Sequence, residues 1–218
     1  MAYLELFERV ADQVRRQGVK VTFKRGKPLT VSAIERARAK ALIPIPTSMA
    51  EFYSEIGDGI VFAWTVKGDR TPFANHEFPK LAERTLESFD KLSWMIEWKD
   101  DYDFRGTKDP TLAKQTALKM RKWMPFHDEG NGDGFCLDTA IDSAPVVFDQ
   151  HDWFDGGTGE NGHLLGRSLL EFYTNWSRVC FQFPQSLWWP SVLRKSGPGV
   201  DWNSTEFREP FRLPEGDS

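Results

Sequence analysis

Residues 124–153, with the sequence MPFHDEGNGDGFCLDTAIDSAPVVFDQHDW, leave the chain the fewest ways to fold. Their apolar side chains come in two short runs, at residues 135–137 and 145–148, and the residues between the runs include Asp, Ser and Ala. Two such runs separated by turn-forming residues predict neighbouring strands joined by a turn. Just before the first run, residues 131–134 (NGDG) tolerate positive φ, so the backbone can bend sharply into that strand. We therefore predict a β-meander in this part of the chain.

Negative charge is concentrated on the loops of the predicted meander. Residues 123–166 contain no Lys or Arg, whereas residues 1–41 carry ten Lys and Arg against four Asp and Glu. The formal net charge of −4 therefore conceals an acidic and a basic region, and we expect a partner to meet two faces of opposite sign. The acidic region holds nine carboxylates: Asp128, Glu129, Asp133, Asp138, Asp142, Asp149, Asp152, Asp155 and Glu160.

Upstream of the meander, the spacing of apolar residues predicts two helices and a strand. Apolar residues recur at intervals of three and four over residues 3–17, which predicts an amphipathic helix that ends at Gly18. Alternation over residues 19–23 predicts a strand. Ser32 is followed three residues later by Glu, the spacing of a capping box, so a second, basic helix is predicted over residues 32–41.

A third helix and a strand are predicted next. The prolines at positions 44 and 46 disfavour helix in the residues before them, so this short segment should be extended. Ser48 is also followed three residues later by Glu, which predicts a capped helix that ends at Gly57. Residues 60–66 form an apolar run of strand length and predict a central strand of the sheet.

The middle and the end of the chain are predicted to be mainly helical. Residues 79–98 have a mixed pattern that is consistent with one or two helices. Residues 99–122 are interpreted as a peripheral insertion, in which Asp109 followed by Pro predicts the start of a weakly amphipathic helix. A helix over residues 167–180 is expected to close the sheet.

Several motifs, in this order, resemble the core of the SUKH superfamily, the Smi/Knr-type domains. They are NGDGFCLD, then APVVFDQHDW, then a helix that begins near Ser168. The earlier segment IPIPTSMAEFYSEIGDGI also fits that family's opening, in which a helix introduced by Pro ends at a Gly-containing turn and leads into a strand. The resemblance covers residues 42–183. It implies a single-domain α+β fold, in which a mixed β-sheet is flanked by helices.

The resemblance divides the chain into three segments. These are residues 1–41, an N-terminal extension with helix and strand; residues 42–183, the SUKH-like core with an insertion near 99–122; and residues 184–218, an extended C-terminal tail. Trp188 and Trp189 are expected to anchor this tail onto the body of the protein.

Proteins similar to the SUKH superfamily are mostly bacterial immunity proteins, which bind and silence a cognate toxin that is often a nuclease. A minority are intracellular interaction modules of eukaryotes. The resemblance carries no catalytic residue and no cofactor, so we do not expect an enzyme. It implies a cognate toxin protein as the partner, and it leaves the oligomeric state open.

The acidic loops at residues 128–133 and 149–160 are the predicted toxin-binding surface. Their carboxylates would pair with basic residues that the toxin uses for its own anionic substrate. Two aromatic residues within the second loop would be the apolar anchors, because interface energy concentrates in such side chains. The predicted partner-binding residues are Asp128, Glu129, Asp133, Asp149, Asp152, Trp153, Phe154, Asp155 and Glu160.

Two other functions are compatible with these patterns. The first is an intracellular interaction or regulatory module that has no toxin partner. The second is a metal-dependent hydrolase, because seven metal-ligating side chains fall within residues 127–163: His127, Asp128, Asp133, Asp138, His151, Asp152 and His163. These residues lack HxxxH or HExxH spacing, and a calcium-hand alignment from Glu129 places Ala140 where a bidentate Glu is required. We therefore predict no metal site.

Composition indicates where the protein works and which ligands it lacks. No window approaches 18 uncharged apolar residues, and acids and bases alternate at the N-terminus, so we expect a cytoplasmic location and no membrane partner. The basic helix over residues 32–41 lacks interleaved aromatic residues, so no direct nucleic-acid partner is expected. Cys136 and Cys180 lie in apolar contexts and are predicted to be buried free thiols.

Overall fold

The computed structural model describes residues 2–41, 43–68, 73–78, 80–81, 109–128, 132–150 and 161–213, which contain both helices and strands. The helices in these ranges are α1 (Tyr3–Arg16), α2 (Val31–Arg38), α3 (Thr47–Glu55), α4 (Pro110–Met120) and α5 (Leu169–Ser177). The strands are β1 (Val21–Arg25), β2 (Ile60–Thr65), β3 (Phe73–Phe78), β4 (Trp123–Asp128), β5 (Gly134–Asp138), β6 (Val146–Asp149) and β7 (Leu164–Gly166). Of the helical pattern predicted over residues 79–98, only Lys80 and Leu81 are described.

Helix α1 confirms the first predicted helix. Its buried side chains recur on one face, at Leu6, Phe7, Val10 and Val14, and Gly18 follows the helix with a φ of +74°. A left-handed residue directly after a helix is a common way to end it, and glycine adopts that conformation without a steric penalty.

Two predicted helix caps, Ser32 and Ser48, are wrong by two residues. Helix α2 begins at Val31, because the cap is Thr30, whose hydroxyl oxygen accepts a hydrogen bond from the Ala33 amide at 3.3 Å. Helix α3 begins at Thr47 after Pro46, whose extended backbone gives the chain its entry direction. In both cases the predicted serine cap lies inside the first turn. Helix α4, by contrast, starts as predicted, since Asp109 accepts from the Leu112 amide at 2.9 Å.

Strands β1, β2 and β3 form the first sheet, in that order and with antiparallel pairing. The central position predicted for β2 is confirmed, since it pairs with both neighbours. Its buried side chains alternate with more exposed ones, so only one of its faces lies in the core. Strand β3 was not predicted, because Asn75, His76 and Glu77 interrupt its apolar pattern.

Strands β4, β5, β6 and β7 form the second sheet, which is also antiparallel and follows chain order. The predicted meander is therefore confirmed, with Phe135 directly opposite Phe148 on the two predicted strands. The α+β class is confirmed as well. The described strands, however, form two antiparallel sheets instead of one mixed sheet, because the described pairings join consecutive strands, none of them through a parallel crossover.

An aromatic core joins both sheets to α1, α3 and α5. Phe7 of α1 lies 4.8 Å from Phe181 between ring centroids, and Phe52 of α3 stacks on Tyr173 of α5 at 5.6 Å. These four rings are essentially inaccessible to solvent. Stacked and edge-to-face rings at such separations stabilise the fold beyond the area that they bury.

The C-terminal segment, residues 184–213, contributes to the same core. Trp189 is buried and packs edge-on against Trp176 at 5.4 Å, whereas Trp188 is only half-buried. Gln182 fixes the segment, because its amide group donates to the Arg208 carbonyl oxygen at 3.2 Å and its side-chain oxygen accepts from the Arg208 amide at 2.9 Å. The segment lies against α5 with little regular secondary structure beyond two 3₁₀ turns, Trp189–Ser191 and Glu209–Phe211.

The cysteine prediction is confirmed, since Cys136 and Cys180 are both free and buried. Burial raises the pKa of the Cys180 thiol to about 12, while Arg9 acts in the opposite direction. This thiol therefore stays protonated and inert at neutral pH. None of the described helices is both long and apolar enough to cross a membrane.

Candidate partner-binding site

The register of the second sheet brings the ends of three strands together. Asp128, the last residue of β4, lies opposite Gly134, the first residue of β5, and Gly134 lies opposite Asp149, the last residue of β6. Neighbouring strands are about 4.8 Å apart. Asp128, Gly134 and Asp149 therefore lie side by side where their three strands begin or end. We name this end of the second sheet, with Asp128, residues 132–134, residues 149–150 and residues 161–163, the loop end.

Hydrogen bonds join the described residues that flank 151–160 at the loop end. The Gln150 amide donates to the side-chain oxygen of Asn161 at 2.9 Å. The Gly162 amide donates to the Phe148 carbonyl oxygen at 2.8 Å, and the Phe148 amide donates to the His163 carbonyl oxygen at 2.9 Å. Gln150 and Asn161, the described residues on either side of 151–160, thus lie beside each other, and the backbone ladder of the second sheet holds the residues next to them in place.

The predicted partner-binding residues fall into two groups. Asp133 and Asp149 are 2% and 7% exposed, so their carboxylates are enclosed by the protein instead of forming its surface. Asp149 accepts a hydrogen bond from the Cys136 thiol at 3.9 Å. Of Asp128 the structure describes only the place at the end of β4. Outside the described residues lie Glu129, Asp152, Trp153, Phe154, Asp155 and Glu160.

A small apolar cluster supports the loop end on the side of the second sheet that faces away from the main core. It consists of Met120 from α4, Trp123, Cys136 and Val147 from three strands, and the neighbouring Leu164. Helix α4, at the end of the segment interpreted as a peripheral insertion, therefore packs against the outer face of the meander.

Two contacts join this cluster to the base of the long segment. Asn161 donates from its side-chain nitrogen to the Met120 sulfur at 3.4 Å. Gly162 has a φ of +83°, and a Cβ atom at this position would lie 3.2 Å from the Trp123 ring. The return of the chain toward β7 is therefore set by both backbone conformation and close packing.

Two of the histidines considered as metal ligands, His127 and His163, have different surroundings. The His127 ring stacks on Phe135 at 5.2 Å in the main core, and His163 Nε2 lies 3.0 Å from the Gly199 carbonyl oxygen near the surface. In the described part of the chain, no three His, Cys, Asp or Glu side chains converge as a metal site would need. His151 and Asp152 lie outside the described residues.

Sequence reasoning missed a buried partner of His127. His76 of β3 is 1% exposed, and its ring centroid lies 5.1 Å from that of His127, where the two sheets meet. Its Nε2 lies 3.3 Å from the Phe181 carbonyl oxygen. Burial, and next the proximity of His127, lower the pKa of His76 well below its usual range. The signal was present, because Ala74, His76 and Phe78 alternate as one face of a strand does.

Comparison with known proteins identifies a family. The SMI1 / KNR4 family (SUKH-1) matches residues 28–175, which is more than half of the chain. The match starts before α2 and continues into α5, so it begins earlier than the resemblance over residues 42–183. No curated protein and no solved structure matches the chain significantly. The chain belongs to the SMI1/KNR4 family (SUKH-1).

Proposed function

We propose that this protein is an immunity protein, which binds and neutralises a cognate bacterial toxin domain through the acidic segments at the loop end. The SUKH family is associated with immunity proteins and generally consists of binding modules without enzymatic activity. One observation carries the choice of surface. The register places Asp128, Gly134 and Asp149 side by side at one end of the second sheet, and all three belong to or adjoin the acidic segments.

Charge provides the mechanism. The region that includes both segments carries nine carboxylates and no Lys or Arg over residues 123–166. A toxin that acts on an anionic substrate, such as a nuclease, needs basic residues in its site, and these are attracted to the acidic segments. The attraction accelerates association, and the bound protein then occludes the site. The proposal places this encounter in the cytoplasm.

The predicted partner-binding residues have different roles in the proposal. Asp152, Asp155 and Glu160 supply negative charge, and Trp153 and Phe154 supply apolar anchors that fill a depression on the toxin. The buried Asp133 and Asp149 belong to the support of the loop end. A hydrogen bond holds Gln150 and Asn161, which flank residues 151–160, beside each other.

The proposal requires a toxin domain encoded directly upstream of this protein's gene, and the test is protection of bacteria from that domain. The wild-type protein should restore growth and bind the purified toxin. The variant D152K/D155K/E160K should lose protection and bind at least about a hundredfold more weakly, because three attractive charges become repulsive.

A control of equal charge isolates the surface. E8K/E51K/D142K changes three exposed acids on α1, α3 and the opposite hairpin of the second sheet, away from the loop end. It should protect like the wild type. Equal protection by both triple variants, with unchanged salt dependence, would show that the loop end does not bind the toxin. Failure of the wild type to bind the toxin would remove the immunity proposal itself.

A further inference from the structure

The first sheet carries a groove of about 670 Å³ on the face that points away from the core. Thr22, Ala63 and Asn75 form its floor, since they lie opposite one another on the three neighbouring strands. Their chain neighbours Phe23, Phe62 and His76 share the opposite face, which contributes to the core. A volume in this range is typical of clefts that bind ligands.

Apolar side chains line the walls of the groove. Phe73 lines the groove beside the floor on β3, and its ring stacks on Phe183 at 4.8 Å. Leu187 reaches the groove from the C-terminal segment and is 47% exposed. Its backbone has a φ of +56°, a conformation that costs a residue with a side chain about 1 kcal/mol or more. The fold therefore holds a large apolar side chain at the rim of this groove.

Positive charge borders the groove along β1. Lys20 lines it, and Lys24 lies on the same face four residues later, both of them exposed. The chain has six bases and no acid over residues 13–34. On β3, the outer strand on the other side of β2, Glu77 lies across Val61 from Lys24. The surroundings of the groove are thus positive along β1, with the negative Glu77 beyond one corner on β3.

We propose that this groove is a second docking surface, which takes an acidic, extended segment of a partner protein. One apolar side chain of that segment sits over Ala63, between Phe73 and Leu187. Its carboxylates lie beside Lys20 and Lys24, and Glu77 repels the opposite orientation. This surface shares no residue with the loop end and has the opposite charge. It therefore serves a different partner from the toxin's basic site, and it holds whether or not the immunity proposal does.

The experiment is a selection of short random peptides, displayed on phage, against the immobilised full chain. Enriched peptides should combine one aromatic or aliphatic residue with flanking Asp or Glu. Synthetic copies should bind the wild type and lose about tenfold or more in affinity with Ala63→Phe, which fills the groove, and with K20E/K24E. R16E/K27E makes the same charge change at exposed sites outside the groove and should bind like the wild type.

Three results would overturn the proposal. The first is enrichment of peptides without acids, or of none at all. The second is equal binding of the selected peptides by wild type, Ala63→Phe and K20E/K24E, with circular dichroism showing all three folded. The third is a concentration-dependent dimer in sedimentation that Ala63→Phe abolishes, which would make a second copy of this chain the occupant. Toxin protection by these variants is measured in parallel and should be unchanged.

Discussion

At the scale of single residues, His76 couples the stability of the fold to pH. It is buried at the junction of the two sheets, edge-on to Trp176 at 4.5 Å and stacked on Phe183 at 5.5 Å. His127 is the titratable side chain that acts on it, and two adjacent imidazolium ions in such an enclosure would repel each other. The folded protein therefore holds His76 neutral, and protonation is left mainly to the unfolded chain.

The sign of the pH effect follows from this lowered pKa. An unfolded histidine binds its proton near pH 6.5, so above that pH the two states carry the same charge at His76 and stability is at its full value. Below that pH, His76 binds a proton in the unfolded state but not in the folded state. The free energy of unfolding should therefore fall by about 1 kcal/mol for each pH unit below about 6.5.

Urea unfolding at several pH values measures this effect. The range of about 5 to 8 brackets the histidine pKa of about 6.5 in the unfolded chain. His76→Gln keeps a donor for the Phe181 carbonyl oxygen but does not titrate, so its stability should depend less steeply on pH. His163→Gln, at a partly exposed site, is the control and should keep the wild-type slope. Identical slopes for wild type and His76→Gln would contradict the assignment to His76.

At the scale of elements, the turn that joins α3 to β2 depends on a backbone approach that only glycine permits. A Cβ atom on Gly26 would overlap the Asp58 carbonyl oxygen, and one on Gly57 would overlap the Gly26 carbonyl oxygen. The Gly26 amide also donates to the Gly59 carbonyl oxygen at 2.9 Å. Two glycines thus let the segment after β1 pass directly against the end of α3.

Gly26→Ala should therefore be more harmful than an ordinary glycine substitution. We expect it to lower the free energy of unfolding by about 3 kcal/mol or more, because backbone must move to admit the methyl group. Gly18→Ala is the matched control: its φ is +74°, but nothing lies within 4 Å of the added carbon, so only the conformational cost of about 1 kcal/mol applies. Denaturant midpoints for both variants decide this, and a smaller loss for Gly26→Ala than for Gly18→Ala would refute the steric argument.

The C-terminal segment is the second element whose contribution can be measured. Trp189 lies 4.9 Å from Phe135 of β5 and 5.4 Å from Trp176 of α5, so it joins the segment to the family core. Trp189→Ala should cost about 3–5 kcal/mol, since the cavity it leaves is enclosed by rigid rings. Trp188→Ala removes the same atoms from a half-buried position and should cost much less. Similar losses in urea unfolding would mean that the segment is not part of the cooperative core.

At the scale of the whole molecule, local patterns could be predicted and long-range pairing could not. Helix α1 and the strands around Phe135 and Phe148 follow from spacing within a few residues. The split into two sheets depends on which strands meet, and β3 was hidden because the polar His76 occupies one of its buried positions, between Asn75 and Glu77. The burial of Asp133 and Asp149 also escaped prediction, because an acidic loop residue gives no local sign that neighbouring segments enclose it.

Under the proposed function, the separation of charge over the molecule predicts how salt affects toxin binding. Electrostatic attraction over long distances acts mainly on the association rate, and the Debye length falls from about 30 Å at 0.01 M salt to about 3 Å at 1 M. The association rate of wild type with the toxin should therefore fall by about tenfold or more over that range, while dissociation changes less. Stopped-flow mixing measures both. K20E/K24E makes the molecule more acidic at the groove of the first sheet, so it should associate at least as fast as wild type and with a steeper salt dependence. A slower association for K20E/K24E would mean that the toxin meets the basic face of the first sheet, and the acidic loop end would lose its role.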